Sequence, residues 1–221
     1  MKAKGILSSY TGILVIINVI VFLAALFLEY NNPNFIKHLA LQPSEILNGK
    51  SLWTFATSMF MHAGLGHLFA NMISLIFIGG LVEKILGKRR FLALYLIGGF
   101  VASLFFIALA GFFGTTDLGA RFFGSPLTYA VGASGAIFAL GGLLAVITPR
   151  LRVLAFFVIP MPMWFAMVIF TFVIWLLSAS LSLPIGNTAH LGGLIVGVIY
   201  GFYLKHKYPK KTEMIARYFG G

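Results

Sequence analysis

One serine stands out by its position in the chain. Ser134 lies in the stretch Gly132-Ala133-Ser134-Gly135, whose small side chains leave its hydroxyl uncovered, and a long apolar segment follows. A helix start presents unpaired N–H groups and the positive end of the helix dipole. Such groups stabilise the oxyanion that forms when a hydroxyl attacks a carbonyl. Because the same stretch is typical of close helix packing in membranes, Ser134 needs a nearby base to qualify as a nucleophile.

A base is available in a later apolar segment. His190, Gly193 and Gly197 fall on one face of a helix there, and the two glycines form a small-x-x-x-small pattern. Ser134 and Gly141 likewise share a face of their own segment. Small residues let neighbouring helices approach closely. If these glycine faces meet, Ser134 and His190 come within hydrogen-bond reach as nucleophile and base.

The composition shows whether the helices that position these residues lie in water or in a membrane. Sixty per cent of the residues are hydrophobic and only 10% are charged, and the mean hydropathy is +0.99. A soluble domain of 221 residues is not this apolar, so we predict an integral membrane protein. The absence of cysteine excludes a thiolate nucleophile and thiolate metal sites. The excess of basic over acidic residues favours an anionic lipid surface as partner, not nucleic acid.

The apolar runs predict an all-α bundle of six transmembrane helices in a single domain covering residues 1–221. A span requires about 20 apolar residues, and the predicted spans are 11–28, 65–81, 91–113, 132–147, 163–181 and 189–204. The first run lacks a small-x-small cleavage site, so we interpret it as an anchor and not a signal peptide. Trp53 and its neighbours predict an interfacial connection. Residues 153–159 are expected to skim the membrane, and the basic tail 205–221 to lie on its surface.

The distribution of positive charge orients the bundle. Of the 16 Lys and Arg, 13 fall in the two terminal segments and in the connections after the second and fourth spans. By the positive-inside rule both termini are then cytoplasmic. The second, fourth and sixth spans all begin on the outer side, which places His67, Asn71, Ser134 and His190 at one depth. Polar groups are costly within a bilayer, so their common depth indicates function.

No acidic residue completes a triad in this arrangement. None lies near the outer end of the sixth span; the five acids are Glu29, Glu45, Glu83, Asp117 and Glu213. We therefore predict a Ser134–His190 dyad whose histidine is oriented by packing and not by a carboxylate.

Three sequence blocks, in this order and topology, resemble the rhomboid intramembrane serine proteases. The block His62-x4-His67-x3-Asn71 is similar to the family's His-x4-His-x3-Asn block. The stretch 132–135 resembles its Gly-x-Ser-Gly motif, and residues 189–197 resemble the helix that carries its base. With the six spans, the likeness covers nearly the whole chain.

The resemblance implies a role for each matched residue. Ser134 would be the nucleophile and His190 the general base. The oxyanion would be stabilised by His67, Asn71 and the Ser134 backbone N–H. Residues implied to be structural near the site are His62, Gly132, Gly135, Gly193 and Gly197, and farther away Glu83 and Gly87. No metal or cofactor is implied.

The chain departs from the family pattern at two positions. The family often has Trp-Arg in its interfacial first loop, whereas Trp53 is followed here by Thr54. It also commonly has Tyr four residues after the nucleophile, stacked on the catalytic histidine. Phe138 occupies that position here and keeps the ring without the hydroxyl.

These observations predict an enzyme that hydrolyses peptide bonds in transmembrane protein substrates, with its site open to the extracytoplasmic side of a prokaryotic cell membrane. By resemblance, substrates pass laterally between the second and fifth spans, and the loop before the sixth acts as a gate. Cleavage should fall below about pH 6 as His190 is protonated. Two alternatives are an inactive rhomboid-like binder of transmembrane clients and a small transporter or proton channel.

Overall fold

The chain is mostly helical in the computed structural model, which describes residues 8–155, 158–181 and 186–220. Short 3₁₀ turns lie at Phe35–His38 and Ser58–Phe60. In chain order the helices are α1 (Tyr10–Asn31), α2 (Pro43–Leu47), α3 (Thr54–Thr57), α4 (Leu65–Leu86), α5 (Lys88–Phe113), α6 (Asp117–Phe123), α7 (Ser134–Ile147), α8 (Met163–Ser180), α9 (Asn187–Lys207) and α10 (Pro209–Gly220). Both α4 and α8 contain one π turn, at Leu75–Gly79 and Ile169–Val173 respectively.

Five of these helices are long and apolar enough to cross a membrane, namely α1, α4, α5, α8 and α9. Four of them contain a predicted span and extend beyond it at one or both ends, whereas α8 ends at Ser180, one residue before the predicted end of its span. The predicted fourth span corresponds to α7, which begins at Ser134 instead of residue 132 and has only 14 residues. At 1.5 Å per residue it is about 21 Å long, less than the hydrocarbon thickness. The count of six spans therefore remains a prediction.

The all-α expectation is wrong at one place, because a short hairpin precedes α8. Strands β1 (Arg152–Ala155) and β2 (Ile159–Pro162) pair antiparallel, with Arg152 opposite Pro162. Two prolines in β2 cannot continue a helix, whereas strand pairing still satisfies the neighbouring backbone groups. The predicted surface segment 153–159 falls on this hairpin, and residues 156–157 lie outside the described part of the chain.

Helix α7 forms the centre of the bundle and packs against α5, α8 and α9. Its contact with α9 is close enough to exclude side chains. A Cβ at Gly193 would overlap the carbonyl oxygen of Gly135, and one at Gly197 would overlap that of Ala139. The predicted approach of two helices through the glycines of α9 is therefore confirmed.

Gly141 was predicted to form the α7 side of this contact, and that prediction is wrong. A Cβ at Gly141 would lie 2.7 Å from the sulfur of Met167, so Gly141 packs against α8. Gly142 faces α9 instead, where a Cβ would lie 2.6 Å from the carbonyl oxygen of Leu194. Because α7 has neighbours on several sides, a glycine on one face does not identify which helix approaches it.

The connection between α1 and α4 is bound to the segment that leads into α7. Leu41 and Ala130 exchange two backbone hydrogen bonds, of 3.0 and 2.7 Å. Trp53 is exposed, and its indole N–H donates to the carbonyl of His38 at 2.8 Å. Thr57 donates from its hydroxyl to the carbonyl of Leu39 at 2.7 Å. The connection is thus anchored without the arginine that the family often has after the tryptophan.

Glu83 lies at the other end of the bundle, where it caps α1. Its carboxylate accepts hydrogen bonds from the N–H groups of Tyr10 and Thr11, both 2.8 Å long, and from the Thr11 hydroxyl at 2.7 Å. A carboxylate at a helix start satisfies unpaired donors and complements the helix dipole. These contacts agree with the structural role implied for Glu83.

Candidate active site

Ser134 and His190 meet where α7 begins. Ser134 is the first residue of α7, and His190 lies in the first turn of α9. The Oγ of Ser134 and the Nε2 of His190 are 2.8 Å apart. Both side chains are only half-buried, so a reactant can reach them. The contact predicted from the glycine faces is therefore present, with the geometry that a nucleophile and its base require.

Phe138 fixes the plane of the His190 ring. The two rings are stacked with their centroids 4.3 Å apart and an interplanar angle of 4°. Phe138 lies one helical turn after Ser134, so the residue that carries the hydroxyl and the residue that positions the imidazole are on the same helix. The ring expected at this position thus makes the expected contact, without a hydroxyl.

In the described part of the chain, no carboxylate contacts this pair. Within residues 8–155, 158–181 and 186–220 the ion pair that forms is Arg217–Glu213, on the exposed face of α10, and no acid pairs with His190. The imidazole is therefore oriented by the Ser134 contact and by stacking. The geometry corresponds to a dyad.

His67 lies beside the dyad with its ring against Gly132. Nδ1 of His67 is 3.4 Å from the N–H of Ala63, which donates to it. A neutral imidazole that accepts at Nδ1 carries its proton on Nε2. A Cβ at Gly132 would lie 2.9 Å from this Nε2, so the nitrogen is close to the backbone just before Ser134. The His67 Nε2–H is a hydrogen-bond donor at the site.

Two further donors lie beside His67. The side-chain amide of Asn71 is buried and donates one hydrogen to the carbonyl of His67 at 3.0 Å, which leaves the second hydrogen available. The first backbone N–H to donate into α7 is that of Ile137, to Ala133. The N–H of Ser134 precedes it and has no backbone acceptor among the described residues. These groups and His67 could together receive a developing oxyanion.

A glycine is required at position 132 because of its backbone conformation and because the His67 ring lies close to it. Its φ of +130° is rarely adopted by residues with a side chain, and the His67 ring occupies the place of a Cβ. Its N–H donates to the carbonyl of Ser58 at 2.9 Å, which ties the turn before Ser134 to the segment before α4. Gly132 therefore lies before the helix, not inside it as predicted.

His62 supports His67 from behind. Its ring is 3% exposed and contacts the His67 ring edge to face, with centroids 5.1 Å apart. Neither ring nitrogen of His62 has a hydrogen-bond partner among the described residues. Burial, and to a lesser extent the neighbouring His67, lower the pKa of His62 to about 4. His62 is therefore neutral at pH 7, and its position fits the structural role implied for it.

The dyad opens into a cavity of about 810 Å³. Small side chains form much of its wall, and polar groups from α4, α5 and α6 reach it, including Asn71, Ser74, Ser103 and Arg121. Water can therefore be accommodated next to Ser134. Among the described residues, no three His, Asp or Glu side chains form a group that could hold a metal ion.

Several residues of the site could not be recognised from the sequence. The Ala63 N–H and the Ser58 carbonyl act through the backbone, so their residue types carry no signal. Arg121 and Tyr129 line the cavity from the connection between α5 and α7, where neither residue belongs to a recognisable motif. The predicted gate, before α9, falls largely on residues 182–185, outside the described part of the chain.

Comparisons with known proteins find a family match and curated relatives. Residues 49–207 match the family model of the Rhomboid domain. RHOMBOID-like protein 1 of Arabidopsis thaliana is 35% identical over 165 residues, which are 74% of this chain and 37% of that protein. Rhomboid protein 1, mitochondrial, of Saccharomyces cerevisiae is 30% identical over 160 residues, 71% of this chain and 43% of that protein.

A third relative is named as inactive. Inactive RHOMBOID-like protein 8 of Arabidopsis thaliana is 38% identical over 73 residues, which are 33% of this chain and 21% of that protein. The chain thus spans less than half the length of each of these curated relatives.

Proposed function

The chain belongs to the rhomboid family, and from this membership we propose that it is an intramembrane serine endopeptidase with Ser134 as nucleophile and His190 as general base. The observation that carries the proposal is the 2.8 Å contact between the Ser134 Oγ and the His190 Nε2. Because a relative is named as inactive, membership alone does not establish hydrolysis. The dyad is what distinguishes a protease from a binder.

The proposed reaction is acyl transfer. The Ser134 hydroxyl donates its proton to the His190 Nε2 while its oxygen attacks the carbonyl carbon of the scissile peptide. The imidazolium then protonates the leaving amine, and the C–N bond breaks. Water then attacks the resulting ester while His190 takes its proton; the ester C–O bond breaks, the imidazolium returns that proton to the Ser134 oxygen, and the acid is released. Phe138 keeps the imidazole plane in place through each proton transfer.

The oxyanion is stabilised by donors from two helices in this mechanism. Ser134 at the start of α7 supplies its backbone N–H, and His67 and Asn71 of α4 supply side-chain donors; all three residues line the same cavity. Removing one donor from such a group typically lowers kcat by about 10²–10³-fold. The tautomer set by the Ala63 N–H supports His67 in this role, since it keeps the proton on Nε2.

The proposed topology follows from the charges and from the length of α7. Five candidate spans and the shorter α7 form a single domain of six membrane-embedded helices with both termini cytoplasmic. Arg150 and Arg152 place the end of α7 near the cytoplasmic surface. Since α7 is about 21 Å long in a core of about 30 Å, its start then lies below the outer surface. Ser134 is then within the membrane, and the cavity supplies its water from the extracytoplasmic side.

The proposed substrates are transmembrane proteins. A helical segment must unwind before its carbonyls can be attacked, because they are hydrogen-bonded within the helix. Small or helix-weakening residues near the cut lower this cost. Access between α4 and α8 is our proposal for the substrate path. The prokaryotic cell membrane predicted from the sequence gains no support from the comparisons, which include a mitochondrial protein.

A fluorophosphonate probe tests the proposal. The wild-type protein in detergent should be labelled, and Ser134→Ala should abolish the labelling. Ser103→Ala is the matched control, because Ser103 lines the same cavity but donates its hydroxyl to the Gly99 carbonyl at 3.1 Å. That variant should be labelled like the wild type. A folded wild-type protein that is not labelled would favour the inactive binder, and labelling that persists in Ser134→Ala would refute the assignment of the nucleophile.

A further inference from the structure

One wall of the active-site cavity carries a positive charge. This wall is formed by α6 and the turn that follows it, through Ala120, Arg121, Gly124, Ser125, Thr128 and Tyr129. Arg121 is the only Lys, Arg, Asp or Glu among the described residues that line the cavity. All the other lining side chains are apolar, or polar without a permanent charge. The permanent charge of the cavity lining therefore comes from Arg121 alone among these residues, and it favours a negatively charged group in the cavity.

The positive charge of Arg121 is not neutralised by the protein. Asp117 lies one helical turn earlier in α6, yet no ion pair joins the two, and within the described ranges 8–155, 158–181 and 186–220 the ion pair present is the distant Arg217–Glu213. The Arg121 side chain is exposed to the cavity and to solvent. Its guanidinium can present parallel N–H donors in the geometry that suits a carboxylate.

The helix that carries Arg121 is fixed relative to the dyad. The indole N–H of Trp175 in α8 donates to the carbonyl of Phe122 at 2.7 Å, and the Trp175 ring packs edge to face on Phe123. At the start of α9, the Thr188 hydroxyl is 3.5 Å from the carbonyl of Phe123. Since Thr188 is two residues before His190, the same helix start contacts α6 and carries the base. The backbone of α6 at Arg121 is thus held at a defined position relative to the reacting groups.

We propose that Arg121 forms a carboxylate-binding subsite of the active-site cavity, and that substrates carry an Asp or Glu side chain close to the scissile bond. This inference rests on the proposed function, because it assigns the chemistry of the segment that occupies the cavity. A carboxylate bound there pairs with Arg121 in a partly enclosed space, where the interaction is stronger than on an open surface. An amide of the same shape lacks the charge, and a lysine is repelled.

The structure provides two matched control cations. Lys37 and Lys50 belong to the connection between α1 and α4, which the proposed topology places on the same side of the membrane as Arg121. Lys37 lines a separate cavity of about 330 Å³, and Lys50 lines neither cavity. Both contribute to the overall potential of that side without facing the dyad. They separate a local subsite from a general effect of positive charge.

Peptide binding to the Ser134→Ala protein tests the subsite without any need for hydrolysis. The probes are fluorescein-labelled peptides of a transmembrane segment with a central Ala-Gly pair. In each peptide, one position on either side of that pair is replaced by Asp, Asn or Lys. Binding in detergent is measured by fluorescence anisotropy. At one position or a few adjacent ones, the Asp peptide should bind about tenfold more tightly than the Asn peptide. Arg121→Gln should remove this preference, whereas Lys37→Gln and Lys50→Gln should retain it.

The charge reversal Arg121→Glu tests whether a lost preference in Arg121→Gln could result from misfolding. It should invert the preference, so that the Lys peptide binds more tightly than the Asp peptide at the same position. Equal binding of Asp and Asn peptides at every position, or no saturable binding at all, would overturn the subsite. Binding of an anionic phospholipid would also overturn the subsite if it required Arg121 and displaced the Asp and Asn peptides equally. Arg121 would then bind a lipid phosphate and not a substrate carboxylate. These outcomes leave the dyad untouched, whereas a lack of fluorophosphonate labelling refutes the dyad.

Discussion

At the scale of single residues, the site uses aromatic packing where many serine hydrolases use a carboxylate. His190 contacts Ser134 through one ring nitrogen and lies flat on Phe138. Stacking restrains the plane of the imidazole but adds no charge to it. The orientation of His190 therefore depends on the ring of Phe138.

Replacement of Phe138 tests this dependence. Phe138→Leu removes a stacked ring worth about 1 kcal/mol, so we expect the rate of fluorophosphonate labelling to fall about fivefold. Phe138→Tyr keeps the ring and should react within about twofold of the wild type. Labelling rates are measured by quenching at timed intervals. An unchanged rate in Phe138→Leu would show that stacking does not position His190.

His62 makes the stability of the fold depend on pH. Its pKa is about 4 in the folded protein and about 6.5 when unfolded, so the folded state favours the neutral ring. The stability that His62 provides is complete above about pH 6.5 and is lost as the pH falls from about 6.5 toward 4. At pH 5 the loss is about 2 kcal/mol.

Thermal unfolding in detergent measures this contribution. Between pH 7 and pH 5 the wild-type protein should lose more stability than His62→Gln, which cannot be protonated. The exposed His38 provides the control, because His38→Gln should lose as much as the wild type. Equal losses in wild type and His62→Gln would contradict the assignment.

At the scale of helices, the close contact of α7 and α9 sets the distance between nucleophile and base. Gly193→Ala would insert a methyl group against the Gly135 carbonyl and push the two helices apart. We expect a loss of about 1–3 kcal/mol in stability and a loss of fluorophosphonate labelling. Both follow from the same displacement, since Gly135 and Gly193 are close neighbours of Ser134 and His190 in the chain.

Gly80 supplies the matched control for this substitution. It lies within α4 and has nothing within 4 Å of the position of a Cβ. Gly80→Ala should leave labelling intact and should not destabilise the protein, because alanine favours helix more than glycine does. If Gly193→Ala behaves like Gly80→Ala, the helix contact is not what brings Ser134 and His190 together.

The sequence predicted the helices and the contact between Ser134 and His190 better than it predicted which groups surround them. Each predicted span coincides with a helix, because long apolar runs have few alternatives in a membrane. The α9 glycines were predicted correctly from their spacing. Gly141 was assigned to the wrong interface, since spacing gives a face and not the helix that occupies it. The β1–β2 hairpin and the Ala63 N–H were missed because backbone pairing has no residue-type signature at these positions.

At the scale of the whole molecule, the proposal depends on which side of the membrane the cavity faces. The chain has no cysteine, so single-cysteine variants report cleanly on exposure. Leu127 is exposed and lies near the cavity wall. Tyr218 is also exposed and lies in α10. We expect a membrane-impermeant maleimide to label Leu127→Cys in intact cells or right-side-out vesicles. Tyr218→Cys should be labelled only after the membrane is opened, and the reverse pattern would contradict the proposed orientation.

The central claim is that Ser134 hydrolyses peptide bonds within a membrane. It is tested most directly by placing the purified protein in liposomes with a tagged single-span substrate that has small residues near its outer end. Mass spectrometry of the products should show a defined cut with wild type and with Ser103→Ala, and none with Ser134→Ala or His190→Ala. A cut that persists at the same bond in Ser134→Ala would contradict the account.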